Sequence, residues 1–144
     1  MFVYPDKIAN IVIEGLRATM KQKDRNATGR TRDSFYYNWN GSKKELLIIG
    51  PDHFRYVDQG REPGKMPPLD RIIEWCIARS IPQELAFPIA RSIAKKGAPK
   101  DKNKINVVSE TLTAIMPDIT KEVGEQVNER FKATINPLWS KPTQ

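Results

Sequence analysis

This chain of 144 residues has one cysteine, Cys76, and one histidine, His53. A single thiol cannot form an internal disulfide, and this composition fits a reducing compartment. One Cys and one His do not make a zinc site, so we expect neither a metal nor another cofactor. Apolar runs are short and the first residues lack the regions of a secretion signal, which predicts no membrane contact.

Acidic residues are also scarce, with 17 Asp and Glu against 24 Lys and Arg and a net charge of +7. The excess is concentrated in residues 17–32 and 91–104, whereas residues 109–130 are acidic. This asymmetry suits a polyanion or a neighbouring copy of the chain, and it is also compatible with solvated faces that bind nothing. The predicted basic surface consists of Arg25, Arg30, Arg32, Lys95, Lys96, Lys100, Lys102 and Lys104.

Apolar residues at helical spacing predict a helix over residues 5–22, with Pro5 in its first turn. Two short central helices are expected, one from Leu69 to about Cys76 and one over about 87–96, with Gly97 as a left-handed cap. A long row of apolar residues from Val108 to Ile135 predicts a final helix. Because proline disrupts helices, Pro117 predicts either a kink or two helices.

A hairpin is predicted over about residues 33–49. Phe35, Tyr37 and Trp39 alternate with polar or outward residues and indicate one buried face, and Asn40-Gly41 is typical of a turn with positive φ. The following apolar run, 46–49, indicates a strand covered on both sides. A short third element over 54–57 fits either a strand or a helical turn.

The order of helix, strands and helices predicts an α+β fold with a small antiparallel sheet. We expect one domain over residues 1–136 and a frayed tail over 137–144. A sheet this small has open edges, which proteins either cover or pair with a neighbour.

Residues 58–68, DQGREPGKMPP, pose the main functional question. A phosphate-binding P-loop needs G-x-x-x-x-G-K-[ST]. Here only three residues separate Gly60 from Gly64, Met66 replaces the hydroxyl residue, and Pro67 and Pro68 remove N–H donors. The stretch therefore fails as a nucleotide-binding loop.

The same residues fit a stiff connector. Pro63-Gly64 suits the centre of a type II turn, and Pro68 is suited to begin the next helix. The charged residues of the turn, Arg61, Glu62 and Lys65, are expected to point outward. We therefore predict a contact loop for another subunit or partner, formed by Gly60, Arg61, Glu62, Pro63, Gly64, Lys65, Pro67 and Pro68.

Four segments in this order resemble a family of tailed-bacteriophage proteins known as tail-completion, neck or minor-tail-component proteins. They are TGRTRDSF at 28–35, YVDQGREPGKMPP at 56–68, IIEWCIARSI at 72–81 and PIARSIAKKGAP at 88–99. The G-R-x-P-G-K-x-P-P block is the most specific part, and Trp75 matches the tryptophan of the family's next helix. Pro88 departs from the pattern and obscures where the second central helix begins.

This resemblance implies a non-enzymatic virion component in the neck or tail, present in the host cytoplasm during assembly. It implies a homo-oligomeric ring of about six or twelve copies at the head–tail junction or the top of the tail. The implied partners are portal or adaptor, stopper and tail-tube proteins, with possible DNA contact.

Two other functions were weighed against this one. A nucleic-acid-binding module would use residues 17–32 and 91–104 with nearby aromatic residues, of which Tyr36 is the clearest outward ring. An enzyme could use His53 with Asp52 or Asp58 as a general base, but no nucleophile, metal or cofactor motif accompanies them. We therefore expect no catalytic residues, and Cys76 is interpreted as a buried small hydrophobe.

Overall fold

The computed structural model of the chain describes residues 4–25 and 29–139. Helix α1 spans Pro5–Gln22, as predicted, with Pro5 in the first turn and Asp6 near its positive end. Its buried residues recur every three or four positions and face the core: Ala9, Ile13, Leu16, Thr19 and Met20. The amphipathic pattern therefore predicted both the bounds and the buried face of this helix.

Helix α2 is a single turn, Arg30–Asp33, within the segment that was predicted to be a basic loop. Two antiparallel strands follow, β1 (Tyr36–Asn40) and β2 (Glu45–Ile49), with Tyr36 opposite Ile49 and Asn40 opposite Glu45. The third element is a helix, α3 (Phe54–Gln59), so the sheet of the described residues has two strands. The α+β class is confirmed.

The hairpin turn differs from the prediction. Because Asn40 pairs with Glu45, the loop holds four residues and Asn40-Gly41 is not a two-residue turn. The Asn40 Oδ1 atom accepts hydrogen bonds from the N–H groups of Ser42 and Lys43, both at 3.1 Å. Lys44, rather than Gly41, takes the positive φ of 54°.

The predicted burial of the strands was also wrong. Phe35 is buried just before β1, where its ring meets that of Phe54 edge-on at 5.0 Å between centroids. Tyr37, however, is 39% exposed and Leu47 is 44% exposed. A two-stranded sheet has too few neighbours to cover both faces of β2, so the apolar run indicated more burial than this fold supplies.

Helices α4 (Leu69–Ala78) and α5 (Ala86–Lys96) form a second packing unit. A 3₁₀ turn at Gln83–Leu85 joins them. They pack on each other around their buried residues Cys76, Ala86 and Ala90. The main core cluster contains no residue of either helix and consists of Ile13, Leu16, Met20, Phe35 and Val107.

Helix α6 runs without interruption from Val107 to Trp139, so the prediction of two helices was wrong. Pro117 lies within it on the exposed side, as does Thr113, whose carbonyl loses its usual donor. Water can satisfy a carbonyl at such a position, which makes the proline tolerable. The helix also includes Pro137, at the start of the expected tail, and residues 140–144 lie outside the described residues.

Helices α1 and α6 pack antiparallel, and their contact is the largest between elements of the fold. The Thr111 hydroxyl donates to the Thr19 hydroxyl at 2.7 Å in the buried interface. At the other end, the N–H of Tyr4 donates to Gln126 Oε1 at 2.7 Å. Gly15 lies between these points, where an added Cβ would be 2.6 Å from Ile115 Cγ2.

Replacing Gly15 or Gly124 by alanine tests this close approach. Both glycines lie inside helices, so each alanine gains about the same helix propensity, about 1 kcal/mol. A Cβ at Gly124 meets nothing within 4 Å, whereas one at Gly15 must displace Ile115. We expect the free energy of unfolding of G15A to fall about 1–3 kcal/mol below that of G124A in urea denaturation. Equal stabilities would show that α1 and α6 do not approach this closely.

Candidate functional site

The predicted contact loop, here called the elbow (residues 60–68), is attached to the end of α5. Arg61 and Ala98 form an isolated antiparallel bridge, in which the N–H of Ala98 donates to the Arg61 carbonyl at 2.8 Å and the reverse bond is also present. The N–H of Gly64 donates to the Ala94 carbonyl at 2.8 Å. Pro67 is buried, and Pro68 caps the start of α4. These contacts hold the elbow in place.

The backbone donors of the elbow are used within the chain. The N–H of Gly60 donates to the Tyr56 carbonyl at 3.0 Å, at the end of α3, and those of Arg61 and Gly64 bond to α5 and the residue after it. A phosphate cradle needs several such groups free and converging. The geometry therefore favours the connector over the nucleotide loop.

The turn geometry was predicted only in part. Gly64 has positive φ, as expected, but at 152° it lies outside the type II range, and the segment bends without forming a regular turn. Arg61 does not point freely outward, because its Nη2 donates to the Lys65 carbonyl at 2.9 Å and its guanidinium lies 5.2 Å from the centre of the Tyr56 ring. Glu62 and Lys65 are exposed, as predicted. Their contact with a partner stays a prediction.

Gly97 is the partner residue that the elbow requires. Its φ is 77°, and an added Cβ would be 2.3 Å from the Arg61 carbonyl oxygen. Its position as the cap of α5 was predicted from the sequence, but its role in admitting the elbow was not. That role depends on a pairing between residues far apart in the chain, which no local pattern reveals.

Half of the predicted basic surface is engaged within the chain. Arg25 donates to the Tyr56 carbonyl, Arg30 pairs with Glu74, Arg32 with Asp33, and Lys104 with Asp24. The other four residues form the lysine segment, at the end of α5 and just after it. They are exposed and take part in no ion pair among the described residues: Lys95, Lys96, Lys100 and Lys102.

Helix α6 presents an acidic ridge and an apolar stripe. The ridge, formed by Asp118, Glu125 and Glu129, is exposed and has no ion-pair partner among the described residues. At 100° per residue, the stripe lies on the opposite side of the helix, with Met116 and Val127 exposed and Phe131 63% exposed. The long apolar row predicted one buried face, but its C-terminal part is uncovered.

The general base considered from the sequence is not assembled. His53 Nε2 lies 2.8 Å from Thr31 Oγ1, whereas the Asp58 carboxylate accepts the N–H of Val108 at 2.8 Å. Asp58 therefore caps the start of α6, a structural role that sequence reasoning missed. Cys76 is buried, as interpreted.

The described residues contain no group of three or more His, Cys, Asp or Glu side chains placed to hold a metal ion. Within the same part of the chain, no helix has the length and hydropathy needed to cross a membrane.

Comparisons with known proteins give no family assignment. No family model matches the chain, and no curated protein or solved structure is significantly similar to it.

Replacing Gly97 by alanine tests how the elbow is held. The new Cβ must displace the Arg61 carbonyl, and the left-handed backbone adds strain of about 1–3 kcal/mol. We expect G97A to be less stable by at least that amount and to be cut faster by trypsin after Arg61 and Lys65, as read by mass spectrometry. The control G41A places its Cβ no nearer than 3.7 Å to another residue at a glycine without positive φ, and it should resemble the wild type. Equal trypsin cleavage in the two variants would contradict the docking.

Proposed function

We propose that this chain is a non-catalytic structural protein of a tailed bacteriophage that forms a ring at the head–tail junction or the top of the tail. The resemblance of residues 28–35, 56–68, 72–81 and 88–99 to tail-completion and neck proteins suggests the class. In this proposal the partners are further copies of the chain and portal, adaptor, stopper or tail-tube proteins. The protein is located in the virion, and in the host cytoplasm during assembly.

The observation that carries the proposal is the uncovered part of α6. The described part of α1 begins opposite Gln126, and α6 continues from there through residues 127–139, about 20 Å of helix. Val127 and Phe131 lie on this extension and are exposed. Large exposed apolar side chains on a helix that projects from its own core are typical of a surface that another protein covers.

Charge segregation supports contact between copies. The lysine segment and the acidic ridge both lack partners within the described part of the chain, and they belong to different elements. A head-to-tail arrangement brings two different surfaces of one chain together, and repeated rotation closes such contacts into a ring. Opposite charges on the two surfaces would set orientation and suppress wrong pairings.

Replacing Phe131 by glutamate tests the role of the extension. At 63% exposure the substitution should leave the fold intact, which circular dichroism checks. A charge in an apolar contact is costly, so we expect F131E to remain monomeric under conditions where the wild type assembles, alone or on purified connectors or tails. Light scattering after size exclusion measures the mass.

The control is N128E, which adds the same charge to an exposed position of the same extension. It should assemble like the wild type. A wild-type chain that stays monomeric at high concentration and joins neither connectors nor tails would overturn the proposal.

A second candidate function, nucleic-acid binding, is favoured by one observation, the unpaired lysine segment. The other half of that hypothesis, residues 17–32, is weakened because Arg17, Lys23, Arg30 and Arg32 all pair with carboxylates of the chain.

The lysine segment gives this alternative its own test. If it follows a DNA backbone, affinity should fall steeply with salt, and replacing Lys95, Lys96, Lys100 and Lys102 by glutamine should flatten the slope by about 0.7–0.9 for each lost phosphate contact. Fluorescence anisotropy with duplex and single-stranded DNA measures it. No binding at low salt would eliminate this alternative.

A further inference from the structure

A cationic cavity of about 270 Å³ lies between the two packing units of the fold. One wall comes from residues near the end of α1, from α2 and from α3, and includes Arg25, Thr31 and His53. The opposite wall comes from α4 and the residue after it, and includes Arg71 and Arg79. Neither the proposed assembly surfaces nor the elbow use this cavity.

The lining of the cavity carries a surplus of two positive charges. Four arginines, Arg25, Arg30, Arg71 and Arg79, face two carboxylates, Asp24 and Glu74. Glu74 pairs with Arg30 at 2.8 Å and with Arg71 at 3.5 Å. Asp24 accepts from Arg79 at 2.7 Å, and this hydrogen bond is the main reason why the pKa of Asp24 is lowered.

Arg25 is the least compensated of these arginines. Its Nη2 donates to the Tyr56 carbonyl at 3.0 Å, but it belongs to no ion pair among the described residues. Burial, with a smaller contribution from the charge of Arg79, lowers the pKa of Arg25. A partly buried cation beside another cation is costly unless an anion balances it.

Arg79 supplies a second unmet requirement. Its Nη1 and Nη2 both bond to Asp24, but its Nε is buried and has no hydrogen-bond partner within the described residues. Buried N–H donors are nearly always satisfied in folded proteins, so an isolated exception often marks a site for a missing partner. Two independent observations, an uncompensated charge and an unpaired donor, thus belong to the same cavity.

We propose that this cavity binds a phosphate group, held by Arg25 and Arg79, with the Thr31 and His53 side chains at its edge. A phosphate dianion matches the surplus of two positive charges, whereas one carboxylate would balance half of it. Its four oxygens suit the planar forks of two guanidinium groups, which bind phosphate with strong charge-assisted hydrogen bonds. A bound phosphate would also link the core to the α4–α5 unit, because each contributes one of the two arginines.

The test measures binding of inorganic phosphate at pH 8, where phosphate is a dianion, by calorimetry and by the shift in melting temperature at constant ionic strength. We expect saturable binding and a higher melting temperature in phosphate than in acetate. R25Q removes the charge but keeps an amide that can reach the Tyr56 carbonyl, and it should weaken phosphate binding about tenfold or more. Without phosphate, R25Q should be no less stable than the wild type, because it relieves repulsion with Arg79.

The control K96Q removes an exposed, unpaired cation outside the cavity lining and should bind phosphate like the wild type. A dinucleotide with only its bridging phosphodiester distinguishes the source. Tighter binding than inorganic phosphate assigns the site to a nucleic-acid backbone, and weaker binding assigns it to free or terminal phosphate. Equal melting shifts in acetate and phosphate, or wild-type affinity in R25Q, would overturn the proposal. Assembly is not measured, so this result is independent of the proposed ring.

Discussion

The antiparallel packing of α1 on α6 is the contact on which the rest of the fold depends. It brings residues from the two ends of the chain together and joins them by a buried hydroxyl pair, Thr19 and Thr111. The absence of a side chain at Gly15 allows Ile115 to approach, so the helices mesh where a larger residue would hold them apart. The hairpin and α3 then complete the core through Phe35, Ile48, Phe54 and Val57.

This packing also explains how far the sequence could predict the fold. The period of α1 identified its bounds, because a short helix with one covered face shows its burial in its pattern. The longer row of α6 was read correctly as helix but not as partly uncovered. An apolar period shows which side of a helix is apolar, and it contains no information about where the partner helix ends.

Turns and long-range pairs were harder to predict for a different reason. Asn40-Gly41 is a strong local signal, yet the register of the strands placed the turn further along and gave the positive φ to Lys44. The elbow was correctly recognised as a connector from its prolines and glycines. Its attachment to Ala98, however, depends on a contact across more than thirty residues. The arginine cavity was missed for the same reason, because Arg25 and Arg79 meet only in the folded chain.

The bridge between Arg61 and Ala98 has a consequence for motion. It brings together the two ends of the segment that contains α4 and α5, so residues 62–97 form a loop closed at its base by backbone hydrogen bonds. Such a segment, with its own small core, can open as one cooperative unit while the α1–α6 pair stays intact. Its amide protons should therefore exchange with solvent at a shared rate, set by the strength of this base rather than by global unfolding.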